Sequence, residues 1–263
     1  MPVARAAAGS GFSIAATLLG ESVRDPGLAV SVADEYCRLL RTFAHERLDA
    51  NVAFKLTHVG LDVDPELAYE NAARIAAVAA QGGNTVRMDM EQSRYVDPTL
   101  AIYRRLRERF DNVGVVLQSY LYRSGSDLET LLPLHPNVRL VKGAYLEPPA
   151  VAYPRKCDVD ANYRRLAEAA LSGKGYTAIA THDPRIVADV ERFAAEKGLP
   201  RRGRFEFQML YGIATALARS LLERGYRVRL SIPYGASWFP YLMRRLAERP
   251  ANLAFFLKGA FSS

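Results

Sequence analysis

The chain has 263 residues, of which 49% are hydrophobic and 24% are charged. This composition is typical of a folded globular protein and excludes disordered, collagenous and coiled-coil polypeptides. Two cysteines, Cys37 and Cys157, are too few for a disulfide framework, so we expect a cytoplasmic protein. The formal net charge of +7 leaves nucleic acid, an anionic membrane surface and an acidic ligand open as partners.

Short β-rich segments alternate with longer helical patterns along the chain, which is typical of βα units around a parallel sheet. The predicted strands cover residues 12–17, 52–58, 85–90, 113–118, 138–142, 176–181, 205–209 and 227–233. The predicted helices lie near 28–48, 65–80, 97–109, 126–133, 158–172, 184–197, 212–224 and 236–248. Each unit has about 30 residues, the size of one βα repeat. The pattern therefore predicts an α/β fold, a single (β/α)8 TIM barrel that forms one domain over residues 1–263.

An open doubly wound sheet is the alternative fold. It would need a glycine-rich phosphate-binding turn after an early strand, and the first turn of this chain reads LLGESVRD instead.

The alternation within the strands predicts a polar barrel interior. The outer face of each strand is covered by helices and must be apolar, so the other phase points inward. This argument turns three sets of side chains into the barrel: Glu206, Gln208 and Leu210; Arg227, Arg229 and Ser231; and Thr85, Arg87 and Asp89. Barrel active sites lie at the C-terminal strand ends, at or near which five polar residues fall: Lys55, Asp89, Gln118, Lys142 and Gln208.

Several residue patterns at these ends suggest chemistry. A lysine such as Lys55 or Lys142 at a strand end could form a Schiff base, which makes a lyase or aldolase one alternative. On the helix at 236–248, four residues share one side because they are three or four positions apart: Tyr241, Arg244, Arg245 and Glu248. Adjacent arginines suit bidentate binding of a carboxylate or phosphate, whereas the alternative is a solvated helix with an intrahelical pair between Arg244 and Glu248.

Metal and nucleic-acid sites are not expected. The four histidines and two cysteines show no ligand spacing. The basic clusters lie far apart in the sequence and lack the interleaved aromatic residues of a single-strand binding face, although a non-catalytic nucleic-acid-binding protein stays an alternative.

Six motifs, in this order along the chain, carry a resemblance to a known family: VRMDMEQS, VVLQSYLYRS, RLVKGAY, ATHD, EFQMLYGI and PYGASWFPYLMRRLAERPAN. Together they resemble the proline dehydrogenases, FAD-dependent barrels that oxidise the ring C–N bond of proline. The resemblance covers nearly the whole chain, and it rests on the combination of motifs because each alone is weak. Members of the family usually have extra helices before the first strand, whereas this chain begins almost at that strand.

The resemblance implies a substrate pocket, a gate and a flavin site. The implied substrate-binding residues are Lys55, Asp89, Tyr145, Leu210, Tyr241, Arg244 and Arg245, with the two arginines on the substrate carboxylate. Glu21, in the LLGE segment, is implied to pair with Arg244 as a gate over the pocket. The implied FAD contacts are Gln118, Arg139, Val141, Lys142, Gly143, Ala144, Lys156, Thr181, His182, Gln208 and Glu248.

The resemblance also implies the reaction. Hydride passes from the ring carbon next to nitrogen to flavin N5, the product is a 1-pyrroline-5-carboxylate, and a quinone accepts the electrons. Arg139 is implied to stabilise negative charge on the reduced flavin ring. The positive net charge also suggests attraction to the anionic membrane that carries the quinone.

Three positions depart from the family pattern. Ser231 occupies a position where tyrosine is usual, and serine there resembles the hydroxyproline-oxidising branch, which implies that trans-4-hydroxy-L-proline is accepted as a substrate. Thr17 stands where an aspartate is usual, which affects the expected gate. Asp183 stands where asparagine is usual, and the sequence predicts no particular effect of this change.

Overall fold

A computed structural model describes residues 1–235 of the chain. Its helices are α1 (Pro2–Gly9), α2 (Pro26–His45), α3 (Pro65–Gln81), α4 (Val96–Arg107), α5 (Ser124–Leu131), α6 (Lys156–Ser172), α7 (Pro184–Glu196) and α8 (Thr215–Glu223). Its strands are β1 (Ser13–Leu18), β2 (Ala50–Lys55), β3 (Thr85–Asp89), β4 (Val113–Gln118), β5 (Asn137–Val141), β6 (Tyr176–Ala180), β7 (Phe205–Leu210) and β8 (Val228–Tyr234). Each strand is parallel to the next, and β8 pairs with β1 to close the barrel. The predicted barrel is therefore confirmed, while the predicted helix at 236–248 lies outside the described residues.

Three helices that follow strands begin with the same dipeptide, Asp-Pro. The side chains of Asp25, Asp64 and Asp183 accept hydrogen bonds from backbone N–H groups in the first turns of α2, α3 and α7. The proline that follows each aspartate fits the first helical position because its missing N–H has no partner there in any helix. These caps explain why the helices begin abruptly after the loops at the C-terminal strand ends.

Most element boundaries differ from the sequence prediction by a few residues, and the end of the second strand and the N-terminal helix differ in kind. The strand predicted at 52–58 ends at Lys55, and residues Leu56–His58 form a single 3-10 turn. The strand ends because the backbone N–H of Thr57 donates to the Glu91 side chain and not to a neighbouring strand. Helix α1 was not predicted, because eight residues are too few for a clear helical period. Its Ala4 and Ala7 are buried in the core, so it covers apolar surface beside the barrel.

The predicted strand phases are confirmed by the buried interior. Glu206 and Arg229 are both nearly inaccessible, and Arg229 Nε donates to Glu206 Oε1 at 2.7 Å. Burial disfavours the Glu206 carboxylate, but the Arg229 charge outweighs burial and lowers the pKa of Glu206. On the helix-facing side of β7, Phe205 and Phe207 pack against Tyr226, as their apolar phase predicts.

A glycine in β4 allows contacts between strands that are not neighbours. Arg87 of β3 donates to Asn137 Oδ1 of β5 at 2.5 Å, and Gly114 of β4 lies between them in the strand register. A Cβ at Gly114 would lie 2.9 Å from the Asn137 carbonyl oxygen and 3.1 Å from Arg87 Nε. The missing side chain therefore makes room for a fully buried arginine inside the barrel.

Neutralising the buried carboxylate at position 206 tests how much the interior ion pair stabilises the fold. We expect Glu206→Gln to lower the free energy of unfolding by about 3 kcal/mol, because the buried Arg229 would lose its nearest carboxylate and keep only the 3.3 Å contact with Asp49. The measurement is urea unfolding followed by circular dichroism. The matched control is Glu66→Gln, which removes an exposed ion pair with Arg105 and should leave the unfolding midpoint almost unchanged. Equal effects of the two substitutions would contradict this account of the interior.

Candidate active site

The C-terminal ends of β2 and β3 bring two of the predicted substrate residues together. Lys55 and Asp89 are partners in the parallel register, so their side chains emerge side by side at the barrel mouth. Lys55 Nζ forms an ion pair with Glu21, and the Tyr145 hydroxyl donates to Glu21 Oε2 at 3.3 Å. The structure thus joins Lys55, Glu21 and Tyr145 in one partly buried cluster, although Tyr145 lies 124 positions from Glu21 in the chain.

Arg139 forms the second part of the site, beside this cluster. It makes an ion pair with Asp89, and its Nη1 lies 3.5 Å from Gln208 Oε1. Arg139 is buried, and its Nε has no hydrogen-bond partner among residues 1–235. Because a buried guanidinium N–H without a partner is costly, this atom indicates that a further acceptor belongs at the site.

A compact group of charges lies at the ends of β5 and β6. Lys142 Nζ lies 2.5 Å from Asp160 Oδ1 and 3.3 Å from Asp183 Oδ2, and Lys156 Nζ lies 2.5 Å from Asp160 Oδ2. Burial opposes ionisation of Asp160, but the two lysines outweigh burial and lower its pKa. For Asp183, burial is outweighed by the N–H of Arg185 and by Lys142, so its pKa is also lowered.

This group explains one departure from the family pattern and contains one residue that the sequence reasoning missed. Asp183 both caps α7 and pairs with Lys142, so the carboxylate has a structural role that the neutral asparagine would fill only in part. Asp160 was not predicted as a site residue. Its position four residues after Lys156 on α6 is the signal that could have identified it.

The remaining flavin candidates line the same ends of β4, β6 and β7. Gln118 Nε2 donates to the Glu91 carbonyl oxygen at 2.8 Å, and Thr181 Oγ1 accepts from the backbone N–H of Asp183. His182 Nε2 accepts from the backbone N–H of Leu210 at 2.9 Å, which fixes the loop after β6 against β7. The histidine therefore has a structural contact as well as a position at the barrel mouth.

Gly143 and Ala144 follow β5 where the chain approaches an aromatic ring. Gly143 has φ +127°, which favours glycine, and a Cβ there would lie 2.4 Å from Cδ1 of Tyr120. Val141, just before this turn, is paired in register with Gln118. The missing side chain at Gly143 thus lets the chain pass directly against the Tyr120 ring.

At the mouth near β8, Ser231 has two neighbours in register that bear on the size of the pocket. These are Ala15 of β1 and Leu210 of β7.

Four predicted site residues lie outside the described residues: Tyr241, Arg244, Arg245 and Glu248. Of the expected pair of Glu21 and Arg244, only Glu21 belongs to the described part of the chain.

Glu91 is a second functional candidate that the sequence reasoning missed. It is almost completely buried, lies close enough to Lys55 to be affected by its charge, and accepts hydrogen bonds from the N–H and hydroxyl of Thr57. Burial raises the pKa of Glu91 to about 7, although the hydrogen bonds from Thr57 favour its charged form. Nearby, burial and the charge of Lys55 lower the pKa of His58 to about 4. Only the VRMDMEQS motif contains Glu91, and no spacing distinguishes it from the neighbouring polar residues.

These arrangements suit a flavin dinucleotide. The Arg139 Nε, which has no partner among residues 1–235, offers a hydrogen-bond donor, and Lys142 and Lys156 provide cations for phosphates. Within residues 1–235, no three His, Cys, Asp or Glu side chains are grouped as metal ligands would be. No helix in that part of the chain is long and apolar enough to cross a bilayer.

The raised pKa of Glu91 gives a pH dependence that can be measured. Because the folded state holds the Glu91 proton more tightly than the unfolded state, the contribution of Glu91 to stability is fully present below about pH 4.5 and is lost as the pH rises through about 7. Between these pH values, we expect the free energy of unfolding of wild type to fall by on the order of 3 kcal/mol relative to that of Glu91→Gln. Urea unfolding at a series of pH values provides the measurement, with Glu66→Gln as the exposed control. Parallel pH profiles for wild type and Glu91→Gln would contradict the raised pKa.

The comparisons with known proteins agree with this geometry. The proline dehydrogenase family model matches residues 2–258. A proline dehydrogenase of Deinococcus radiodurans is 46% identical over 247 residues, which are 92% of this chain and 79% of that protein. Proline dehydrogenase 1 of Bacillus subtilis (strain 168) is 43% identical over 250 residues, which are 95% of this chain and 82% of that protein.

Among solved structures, the proline utilization A protein of Bdellovibrio bacteriovorus superposes with a TM-score of 0.88 and 26% identity. The match covers 99% of this chain and 32% of that protein, so the chain spans about a third of its length. The barrel, the arrangement of the strand-end residues and the family match lead to one conclusion: the chain belongs to the proline dehydrogenase family of oxidoreductases.

Proposed function

We propose that this protein uses FAD to oxidise L-proline to 1-pyrroline-5-carboxylate, and that it also accepts trans-4-hydroxy-L-proline. The observation that carries the proposal is the placement of Lys55 and Asp89 side by side, next to the buried Arg139. Substrate charges and a flavin ring require such a combination of cation, anion and buried donor at one barrel mouth. The relatives named proline dehydrogenase support the same reaction.

The described residues that would hold FAD fall into two groups. Lys142 and Lys156 would bind its phosphates, and Gly143 and Ala144 would contact it beside them. Gln118, Arg139, Val141, Thr181, His182 and Gln208 would contact the rest of the cofactor, with Glu248 as a further contact. When bound, FAD supplies a two-electron acceptor that takes hydride at N5 from the ring carbon next to the substrate nitrogen. Arg139 would stabilise negative charge close to it.

The protein's own contribution is to bind and orient the substrate. Lys55 Nζ would attract the substrate carboxylate together with Arg244 and Arg245, and the Asp89 carboxylate would attract the substrate ammonium. Tyr145, Leu210 and Tyr241 would pack against the ring and exclude water. Holding the ring carbon in one orientation converts binding energy into rate.

Ser231 supports the extension of this proposal to hydroxyproline. Ser231 is only partly buried, and one of its neighbours in register is the small Ala15, so a serine here would leave room for a 4-substituent on the ring. The serine hydroxyl can also form a hydrogen bond with a 4-hydroxyl group. A tyrosine at this position would fill the space and remove that contact.

The gate and the electron acceptor complete the proposal. Glu21 would close over the pocket by pairing with Arg244, and a quinone would accept the electrons. Association with the membrane surface that carries the quinone would draw on the positive net charge. The proline dehydrogenase family match favours neither the Schiff-base lyase nor the nucleic-acid-binding alternative. Both candidate lysines of the lyase, Lys55 and Lys142, form ion pairs with carboxylates.

Anaerobic titration tests the cofactor and the reaction together. We expect the purified protein to be yellow and to lose its visible absorption on addition of L-proline or trans-4-hydroxy-L-proline, because the substrate reduces the flavin. A water-soluble quinone should then restore the colour. A colourless protein that borohydride links covalently to a carbonyl substrate would overturn the proposal in favour of the lyase.

Substitution of Ser231 tests the substrate pocket. We expect Ser231→Tyr to lower kcat/KM for trans-4-hydroxy-L-proline relative to that for L-proline by about tenfold or more, because a steric clash is added and a hydrogen bond is lost. The control Ser231→Ala keeps the space and removes only the hydroxyl. Its ratio of kcat/KM values for the two substrates should therefore fall between the ratios of wild type and Ser231→Tyr. If Ser231→Tyr leaves the ratio unchanged, the pocket assignment is wrong.

A further inference from the structure

The segment between β1 and α2 carries Glu21 and has no regular secondary structure over residues 19–25. Its backbone is nevertheless anchored to the turn after β2. The Ser22 N–H donates to Thr57 Oγ1 at 3.0 Å, and the Val23 N–H donates to the Thr57 carbonyl oxygen at 2.9 Å. Both anchors follow Glu21 directly in the chain, so they control where its side chain begins.

Ser22 adopts a backbone conformation that needs such support. Its φ of +57° lies in the left-handed region, which is uncommon for residues other than glycine. Such a conformation persists only where surrounding contacts impose it. The hydrogen bond to Thr57 Oγ1 is the contact from the described residues that engages the Ser22 N–H.

Thr57 is in turn held by Glu91. The Thr57 hydroxyl donates to Glu91 Oε1 at 2.6 Å and its N–H donates to Glu91 Oε2 at 3.1 Å. A hydroxyl has one proton, so donating it to the carboxylate leaves the oxygen lone pairs available to accept from Ser22. Both Thr57 and Glu91 are almost fully buried, so water does not compete for these bonds.

The residue before Glu21 is constrained by the same turn. A Cβ at Gly20 would lie 2.2 Å from Nε2 of His58, the residue that follows Thr57. The backbone on both sides of Glu21 is therefore fitted to the turn at residues 56–58. Contact on both sides restricts the Glu21 side chain to the region of Lys55 and Tyr145.

We infer that Thr57 and Glu91 are positioning residues of this enzyme, which hold Glu21 against Lys55 through the backbone of Ser22 and Val23. The inference rests on the proposed function, because Glu21 and Lys55 matter only if they serve the substrate pocket. Neither positioning residue would contact the substrate. Their loss should weaken substrate binding more than the chemical step, since the reacting carbon and its acceptor stay in place.

The test uses an isosteric substitution and its conservative counterpart in the FAD-loaded protein. Thr57→Val removes the hydroxyl without changing the size of the side chain, whereas Thr57→Ser keeps it. We expect Thr57→Val to raise KM for L-proline about tenfold and to change kcat by less than about threefold, with Thr57→Ser close to wild type. Amide hydrogen exchange at Ser22 and Val23 should be faster in Thr57→Val, both with and without FAD.

Thr99 provides the matched control. It is fully buried in α4, and its hydroxyl has no hydrogen-bond partner among residues 1–235. Thr99→Val should therefore leave KM and the exchange rates at residues 19–25 unchanged. If Thr99→Val changes KM and these exchange rates as much as Thr57→Val does, the effect of Thr57→Val is general destabilisation, and the inference is overturned.

Further outcomes separate the inference from the proposed function. If wild type does not oxidise L-proline, the proposed function fails, while the exchange measurement still tests the anchoring of the segment. If Thr57→Val keeps wild-type KM and exchange rates, the inference is overturned while the proposed function stands. Should Thr57→Val fail to fold, Glu91→Gln takes its place, and unchanged exchange at Ser22 in that variant would also overturn the inference.

Discussion

A carboxylate inside a closed ring of strands must be compensated by charge, and this constraint organises the interior of the barrel. Glu206 is compensated by Arg229 and also accepts from the Gln208 amide at 2.5 Å. Gln208 lies within 3.5 Å of Arg139, which is paired with Asp89 at the barrel mouth. The polar groups therefore form one connected chain from the middle of the barrel to the site. The orientation of Arg139 depends on partners well below the pocket.

The inward-facing residues could be predicted from the sequence because alternation has a simple physical cause. One face of each strand packs against helices and must be apolar, so the polar phase points inward. The partners within the interior could not be predicted in this way. Asp89 and Arg139 lie on β3 and β5, which are separated by β4, and their contact depends on strand register and on the closure of the whole barrel. The alternation of polar and apolar residues along a single strand gives no information about strand register or barrel closure.

The residues that follow the strands were harder still to predict. Thr57 was expected to continue β2, and its hydrogen bonds to Glu91 became visible only once the two strand ends were side by side. A buried acid in a loop has no periodicity, so only its neighbours identify it. The resemblance to a family named the residues expected at substrate and flavin, but the groups that orient them belong to the particular packing of this chain. Positioning residues are therefore the part of the site that requires a structure.

The charge distribution changes how the positive net charge should be understood. Taken alone, the cations at the flavin candidate site suggest that an anionic cofactor is attracted by excess positive charge. In the structure, Lys142 and Lys156 share the carboxylates of Asp160 and Asp183, so the two aspartates offset the two lysines and the exposed Arg185, 3.9 Å from Asp183, adds one further cation. Attraction at a distance is correspondingly weak, because opposite charges this close cancel beyond a few ångströms. Selectivity for a phosphate would then come from hydrogen-bond geometry, in which lysines already held by aspartates lose little freedom on binding.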